Sequence, residues 1–230
     1  MGLPLYLAMT RREILEADPG RTAFMACHFS SYGDGLELWE EFPKCDMVIL
    51  NDRIPVWNHD PEKVAAQMAE VLHQTGAESV LLDLQRPGCP AEFLKALTRL
   101  PCPVGVTEKY ADSLDCPVFI EKPMHRPLPD AAEKWPGRQL WLDAAGNTQR
   151  ITVTAEAAAF TSLPRQIPEG ICHRDEKLCC SYHVEVTEDR AEFTLFRTKE
   201  DLQDLLLEAE ALGFTKAIGL YQELQTVFGF

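Results

Sequence analysis

The chain has 230 residues, a formal net charge of −14 and a pI near 4.8. This negative charge repels phosphate backbones and anionic lipid headgroups, so it argues against nucleic-acid and membrane partners. Hydrophobic residues make up 46% of the chain, but no run approaches the ~18 apolar residues that cross a bilayer. The length suits one large α/β domain and leaves little room for two independent cores.

The first ten residues are apolar, but no basic segment precedes them and charged residues follow at 11–13. We therefore expect no signal peptide and predict a cytoplasmic location. The eight cysteines are spread along the chain. We interpret them mainly as reduced thiols that fill small spaces in the core.

Short apolar runs rich in Val, Ile, Leu and Phe recur along the sequence and predict eight strands. Amphipathic segments between them predict helices, the clearest of which begins at a proline and ends before a glycine. The predicted strands are Leu5–Met9, Ala23–Phe29, Asp46–Asp52, Ser79–Gln85, Pro103–Glu108, Pro117–Glu121, Gln139–Asp143 and Ala217–Glu223. The predicted helices are Pro61–Thr75, Ala91–Leu100 and Lys199–Leu212, with shorter ones at Arg11–Ala17 and Leu36–Glu41.

Alternation of strand and helix is typical of a parallel sheet. Eight such units predict an α/β fold, a (β/α)8 TIM barrel formed by residues 1–230 as a single domain. The connections after the fifth and sixth strands are short or interrupted by proline, so the barrel is expected to be partly degenerate there. Between the seventh and eighth strands, residues 147–197 contain three β-like segments, which predict a small β-rich insertion with a hairpin on the barrel rim.

Acidic residues lie on or close most of the predicted strands. In barrels of this kind the functional site lies at the C-terminal ends of the strands. If these carboxylates converge, repulsion and desolvation raise some of their pKa values, which suits general acid catalysis or cation binding. Strands often end in polar residues, so the pattern also arises by chance. The acids are Asp52, Asp83, Glu108, Glu121, Asp143 and Glu223.

The fourth strand carries the most informative pattern. Its period of two places Leu81, Asp83 and Gln85 on one face of the sheet. A buried aspartate needs a hydrogen-bonding partner, so Asp83 is either bonded within the barrel or orients a group on a ligand.

The segment from Pro61 to Pro87 resembles glycoside hydrolase family 18, the chitinase and endo-N-acetylglucosaminidase family. In that family a helix and a glycine-containing turn precede a fourth strand of the form Asp-Gly-x-Asp-x-Asp-x-Glu-x-Pro. Laid on this motif, Leu81 replaces a structural aspartate and Asp83 matches the aspartate that positions the substrate acetamido group. Gln85 replaces the general acid glutamate. The resemblance implies the fold of the family without its usual acid.

A second stretch, Ala191–Leu224, is also similar to the family, and its Tyr221 falls near the aromatic position at the floor of the family's site. The family includes non-hydrolytic members that have lost the acid. The resemblance therefore implies a non-hydrolytic barrel that binds a carbohydrate or related polar ligand at its mouth.

Two alternatives stay open. The first is an active glycoside hydrolase with a relocated carboxylate pair, with Glu108 or Glu121 as the acid and Asp143 as its partner. The second is a structural or interaction barrel without a ligand. The sequence gives neither the ligand nor the oligomeric state.

Aromatic and acidic residues near the strand ends complete the predicted ligand-binding set, which is Asp52, Trp57, Trp141, Tyr221 and Glu223. Five potential zinc ligands lie between residues 172 and 183, but their spacing is not that of a recognised zinc motif. We predict no metal and no cofactor. The five residues are Cys172, His173, Cys179, Cys180 and His183.

Overall fold

Eight parallel strands close into a barrel in the computed structural model, which describes residues 2–17, 20–53 and 59–229. They follow one another around the barrel in chain order, which confirms the predicted TIM-barrel fold. The strands are β1 (Leu5–Met9), β2 (Thr22–His28), β3 (Met47–Asn51), β4 (Val80–Asp83), β5 (Val104–Thr107), β6 (Val118–Ile120), β7 (Leu140–Asp143) and β13 (Phe214–Leu220).

Helices lie between most of these strands and cover the outside of the barrel. The longest ones coincide with the predicted helices, whereas α4 and α5 are single turns, as the short, proline-containing connections indicated. The helices are α1 (Arg11–Glu16), α2 (Pro61–Thr75), α3 (Ala91–Leu97), α4 (Glu108–Ala111), α5 (Leu128–Ala132), α6 (Lys199–Ala211) and α7 (Tyr221–Phe228).

The local sequence sets the ends of α2, the helix that precedes β4. The Asp60 carboxylate accepts hydrogen bonds from the backbone N–H groups of Glu62 and Lys63 and so caps the first turn. Gly76 ends the helix in the left-handed conformation, with a φ of 76°. Four apolar side chains and Thr75 on one face are buried, which fixes α2 against the barrel beside β4.

A second sheet of five antiparallel strands is inserted between β7 and α6, where the sequence predicts a β-rich segment. Its hairpin is formed by the last two strands, and its order is β10-β11-β12-β8-β9. The sequence indicated three of the five strands, and β9 and β10 were not anticipated. The strands are β8 (Thr148–Thr154), β9 (Ala158–Leu163), β10 (Cys172–Asp175), β11 (Cys180–Val186) and β12 (Arg190–Phe196).

The predicted helix Leu36–Glu41 is wrong. Leu36 instead forms an isolated antiparallel bridge with Phe29, and the Glu37 N–H donates to the carbonyl of His28 at 2.9 Å. The chain after β2 therefore folds back on the strand and buries Leu36 there, while Leu38 and Trp39 stay exposed.

The last barrel strand lies three residues earlier than predicted. Gly213 adopts a φ of 83° and allows the chain to leave α6 and enter β13 at Phe214. Tyr221 and Glu223 therefore belong to α7 and not to the strand.

Large side chains fill the inside of the barrel. Trp141 on β7 is completely buried there, and its ring lies 4.8 Å from the Lys216 ammonium. Gly105 on β5 leaves space for this ring, because a Cβ atom at that position would lie 2.3 Å from the Trp141 ring. Side chains thus fill the barrel interior around Trp141. The opening that the described residues form lies at the C-terminal ends of the strands.

We predict that Gly105→Ala destabilises the protein by about 1–3 kcal/mol, because the added methyl group overpacks the barrel against Trp141. Chemical denaturation followed by tryptophan fluorescence measures this. Gly2→Ala is the matched control, since a Cβ atom there meets nothing within 4 Å. Equal stability of the two variants would contradict the proposed packing.

Candidate functional site

A pocket of about 320 Å³ opens at the C-terminal mouth of the barrel, above the packed interior. Inward-facing side chains from the ends of several strands form it, because parallel strands present alternate residues to the same space. Its polar side chains are three carboxyl groups and one amide. The lining residues are Ala8, Ile49, Leu81, Asp83, Gln85, Phe119, Glu121, Asp143, Ile218, Gly219 and Leu220.

The Gln85 side chain connects two of these carboxylates. Its Nε2 donates to Asp83 Oδ1 at 2.7 Å and to Glu121 Oε1 at 2.5 Å. The two acceptor oxygens, Asp83 Oδ1 and Glu121 Oε1, are therefore separated by no more than the combined length of these two hydrogen bonds. Both hydrogens of the amide are used, which leaves only its oxygen, an acceptor, for other partners.

Hydrogen bonds with three neighbouring side chains fix the backbone of Gln85 and Arg86. Asp52 is 4% exposed, and its carboxylate accepts from the N–H groups of Gln85 at 3.1 Å and Arg86 at 2.7 Å. The Lys109 ammonium donates to the Gln85 carbonyl at 2.5 Å, and the Tyr110 hydroxyl donates to the Arg86 carbonyl. These contacts fix the position from which the amide reaches its two acids.

Asp143 is the acid whose proton affinity is most altered. Burial raises its pKa to about 7, the Arg197 guanidinium opposes this, and Glu121, Glu223 and Asp83 add to it by repulsion. Burial also raises the pKa of Asp83, although the hydrogen bond from Gln85 counteracts it. The pocket thus contains a carboxyl group that holds its proton to a higher pH than an ordinary aspartate.

Two buried cations lie behind the wall of the pocket. Arg197 is fully buried and donates to the carbonyls of Ala145 at 2.7 Å and Cys179 at 3.3 Å. Lys122 is 2% exposed and donates to the Leu178 carbonyl at 2.7 Å. Burial lowers the pKa of Lys122 to about 8. Both cations hold the inserted sheet against the barrel, and neither lines the pocket.

A second cavity of about 620 Å³ lies next to the mouth pocket and shares Leu220 with it. The chain after β9, including Arg165, forms one wall, and α7 forms the other. Glu223 lines this cavity, and its carboxylate accepts from the Gly146 N–H at 2.9 Å. Burial raises the pKa of Glu223.

The structure brings together four of the residues predicted from the sequence and separates the others. Asp83, Gln85, Glu121 and Asp143 line one pocket. Glu108 begins α4, where its carboxylate accepts a hydrogen bond from the Trp135 indole at 3.4 Å, and it is not among the lining residues.

The predicted ligand-binding residues are more dispersed. Asp52 supports the backbone after β4, and Glu223 lines the neighbouring cavity. Trp141 fills the barrel below the pocket with a fully buried ring, and Tyr221 is half-buried at the start of α7. Trp57 lies outside the described residues.

Sequence reasoning missed the apolar lining and Arg197. The alternation within each strand could have located Phe119 and Ile218, since each shares a strand face with a residue of the mouth. No local signal identifies Arg197, because its position near Asp143 depends on how the inserted sheet docks.

The five potential zinc ligands do not converge. Cys172 pairs with His183 across the β10–β11 ladder, whereas Cys179 and Cys180 are buried at its other end. Among the described residues, no group of three or more His, Cys, Asp or Glu side chains is placed to hold a metal ion. In the same part of the chain, no helix has the length and apolar character that crossing a bilayer requires.

The solved structures that superpose on this chain include an N-acetylglucosaminidase, a chitinase and a spore cortex-lytic enzyme. A family 18 N-acetylglucosaminidase from Paenibacillus barengoltzii superposes with a TM-score of 0.62 and 9% identity, over 97% of this chain and 96% of that one. For a chitinase from Rhizomucor miehei the TM-score is 0.61 and the identity 11%, over 97% of this chain and 96% of that one.

The spore cortex-lytic enzyme SleL from Bacillus cereus superposes with a TM-score of 0.59 and 11% identity, over 94% of this chain and 70% of that one. No family model and no curated protein sequence matches this chain. At such identities the likeness shows the fold alone. The chain has the barrel fold of the family 18 glycoside hydrolases.

We predict that Asp143→Asn weakens the dependence of stability on pH. The raised pKa of Asp143 means that the unfolded chain releases this proton near pH 3.8 and the folded chain near pH 7. Wild-type stability therefore falls between these pH values by at most about 4 kcal/mol through this group. Urea denaturation from pH 4 to pH 8 measures the difference.

Asp143→Asn should lack this fall in stability. The free energy of unfolding of the variant, relative to that of the wild type, should therefore increase as the pH rises. Glu156→Gln, an exposed position in the β8–β9 turn, is the control and should track the wild type. Parallel plots of unfolding free energy against pH for the wild type and Asp143→Asn would show that the pKa of Asp143 is not raised, which would contradict the prediction.

Proposed function

We propose that this protein binds a carbohydrate or related polar ligand at the barrel mouth and does not hydrolyse it by the family route. The observation that carries the proposal is the Gln85 amide, which bridges Asp83 and Glu121 in an open pocket of the family 18 fold. A site of this kind keeps the shape of a glycosidase cleft but has an amide in place of the usual acid.

The lining of the pocket suits a sugar. Carboxylate oxygens of Asp83, Glu121 and Asp143 accept hydrogen bonds, and sugar hydroxyl groups donate them. Apolar side chains such as Phe119 and Ile218 form the remaining surface, which matches the apolar face of a pyranose ring. The volume of about 320 Å³ accommodates a small ligand.

The identity of residue 85 opposes hydrolysis. An amide has no titratable proton, so Gln85 cannot protonate a leaving oxygen. General acid catalysis contributes ~10²–10⁴-fold to such reactions. The two hydrogen bonds of the amide also engage one oxygen each of Asp83 and Glu121, which leaves the other oxygens for a ligand.

One observation favours a second candidate, a glycoside hydrolase with a relocated carboxylate pair. The pKa of Asp143 is about 7, so this residue can hold a proton at neutral pH and lies in the same pocket as Glu121. A protonated and an ionised carboxyl group in one pocket are the pair that glycosidases use.

Isothermal titration calorimetry with N-acetylglucosamine oligomers and peptidoglycan fragments tests the binding proposal. We expect a dissociation constant below 1 mM for at least one saccharide and binding at least tenfold weaker for Asp83→Ala. Glu156→Ala removes an exposed carboxylate and should bind like the wild type. A chain that binds no saccharide would be a structural barrel, and the proposal would be rejected.

A fluorogenic glycoside assay separates the two candidates. For the binding protein we expect no turnover above buffer in the wild type from pH 4 to pH 8. A bell-shaped activity profile that Asp143→Asn and Glu121→Gln each reduce by about 10²-fold or more would instead establish the relocated pair.

A further inference from the structure

The polar side chains that line the mouth pocket offer a ligand mainly acceptors of hydrogen bonds. Among the described residues the polar lining side chains are Asp83, Gln85, Glu121 and Asp143. Both N–H groups of the Gln85 amide are already used, on Asp83 and on Glu121. When the three acids are ionised, a ligand finds only acceptors on the lining side chains.

The pocket also lacks a cation of its own. In the described part of the chain no lysine, arginine or histidine lines it. The nearest cation that acts on Asp143 is Arg197, which is fully buried and donates to two backbone carbonyls. Lys122 is buried beside it and is bonded to the Leu178 carbonyl. Neither can reach a ligand without leaving its place between the barrel and the inserted sheet.

An N-acetyl group would be matched to this lining only in part, because its N–H finds an acceptor such as Asp83 but its carbonyl oxygen does not find a ready donor. Its carbonyl oxygen needs a donor, and among the described lining residues the side-chain donor still available is Asp143 while it is protonated. An ammonium group, in contrast, brings three donors and a positive charge. Three surrounding carboxyl groups would accept charge-assisted hydrogen bonds from it, which are about twice as strong as neutral ones.

We propose that the ligand is an amino sugar with a free amine, a glucosamine-type residue, whose ammonium group binds between Asp83, Glu121 and Asp143. The inference rests on the proposed function, because it names the class of saccharide that the same pocket selects. It also places a positive charge inside the pocket, where no described side chain provides one. The ammonium then stabilises the ionised form of Asp143, so binding releases protons.

Calorimetry with two matched tetrasaccharides tests the inference, one of glucosamine and one of N-acetylglucosamine, at pH 5.5 and 150 mM NaCl, where the amines are already protonated before they bind. We expect the glucosamine tetramer to bind about tenfold more tightly or better. Repeating the titration in two buffers of different ionisation enthalpy should reveal proton release on binding of the glucosamine tetramer.

Variants test whether the preference for the glucosamine tetramer comes only from the attraction of a polycation to a chain with a net charge of −14. Glu121→Gln and Asp143→Asn should each reduce the preference for the glucosamine tetramer by about tenfold, with melting curves to confirm folding. Glu156→Gln removes one exposed charge far from the pocket and should keep the full preference. A preference that survives in Glu121→Gln and Asp143→Asn would overturn the inference.

The remaining outcomes are distinguishable. If the N-acetylated tetramer binds as tightly as the glucosamine tetramer, or more tightly, the inference fails and the proposed carbohydrate-binding function stands. If neither tetramer nor a peptidoglycan fragment binds at 1 mM, both the inference and the proposed function fail.

Discussion

Two hydrogen bonds from the Gln85 amide keep the acids of the barrel mouth in place. Closure of the barrel forces Asp83 and Glu121 toward one another, and two carboxylates at this distance repel unless a donor or a proton lies between them. The amide supplies two N–H groups at neutral charge. Asp52 supports it by holding the backbone of residues 85 and 86. A glutamate at position 85 would add a third negative charge instead of relieving the other two.

The inserted sheet contacts the barrel beside the mouth pocket through buried cations. Arg197 and Lys122 are buried where the sheet meets the strand ends, and they satisfy backbone carbonyls there. A further contact secures the sheet to α6, where Arg174 on β10 forms ion pairs with Glu200, Asp201 and Asp204. Arg197 lies close enough to lower the cost of ionising Asp143, but neither buried cation lines the pocket. The insertion therefore affects both the shape of the mouth and its electrostatics.

The fold and the chemistry of the site lead to different conclusions about activity. The barrel superposes on family 18 glycosidases along almost the whole chain, with TM-scores near 0.6. A shared barrel, however, supports many functions, and the function depends on the side chains at the mouth. Residue 85, just after β4, is an amide in this chain, and the acid of the pocket with the highest proton affinity, Asp143, lies on β7. The pocket is consistent with recognition of a polar ligand, and a relocated catalytic pair would need Asp143 as the acid together with Glu121.

The sequence by itself determined the barrel and the residues that could meet at its mouth. Apolar runs and period-two alternation depend on local geometry, so they located the eight strands, the main helices and the shared face of Asp83 and Gln85.

Local patterns failed where a longer-range contact decides the structure. Leu36 pairs with Phe29 instead of forming a helix, and β13 lies earlier because α7 follows directly. Glu108 and Glu121 both close apolar runs, yet only Glu121 faces the pocket, because Glu108 begins a helix. The pairing of Gln85 with Glu121 joins residues 36 positions apart. Only closure of the barrel brings these two side chains together, and only docking of the inserted sheet places Arg197 near Asp143.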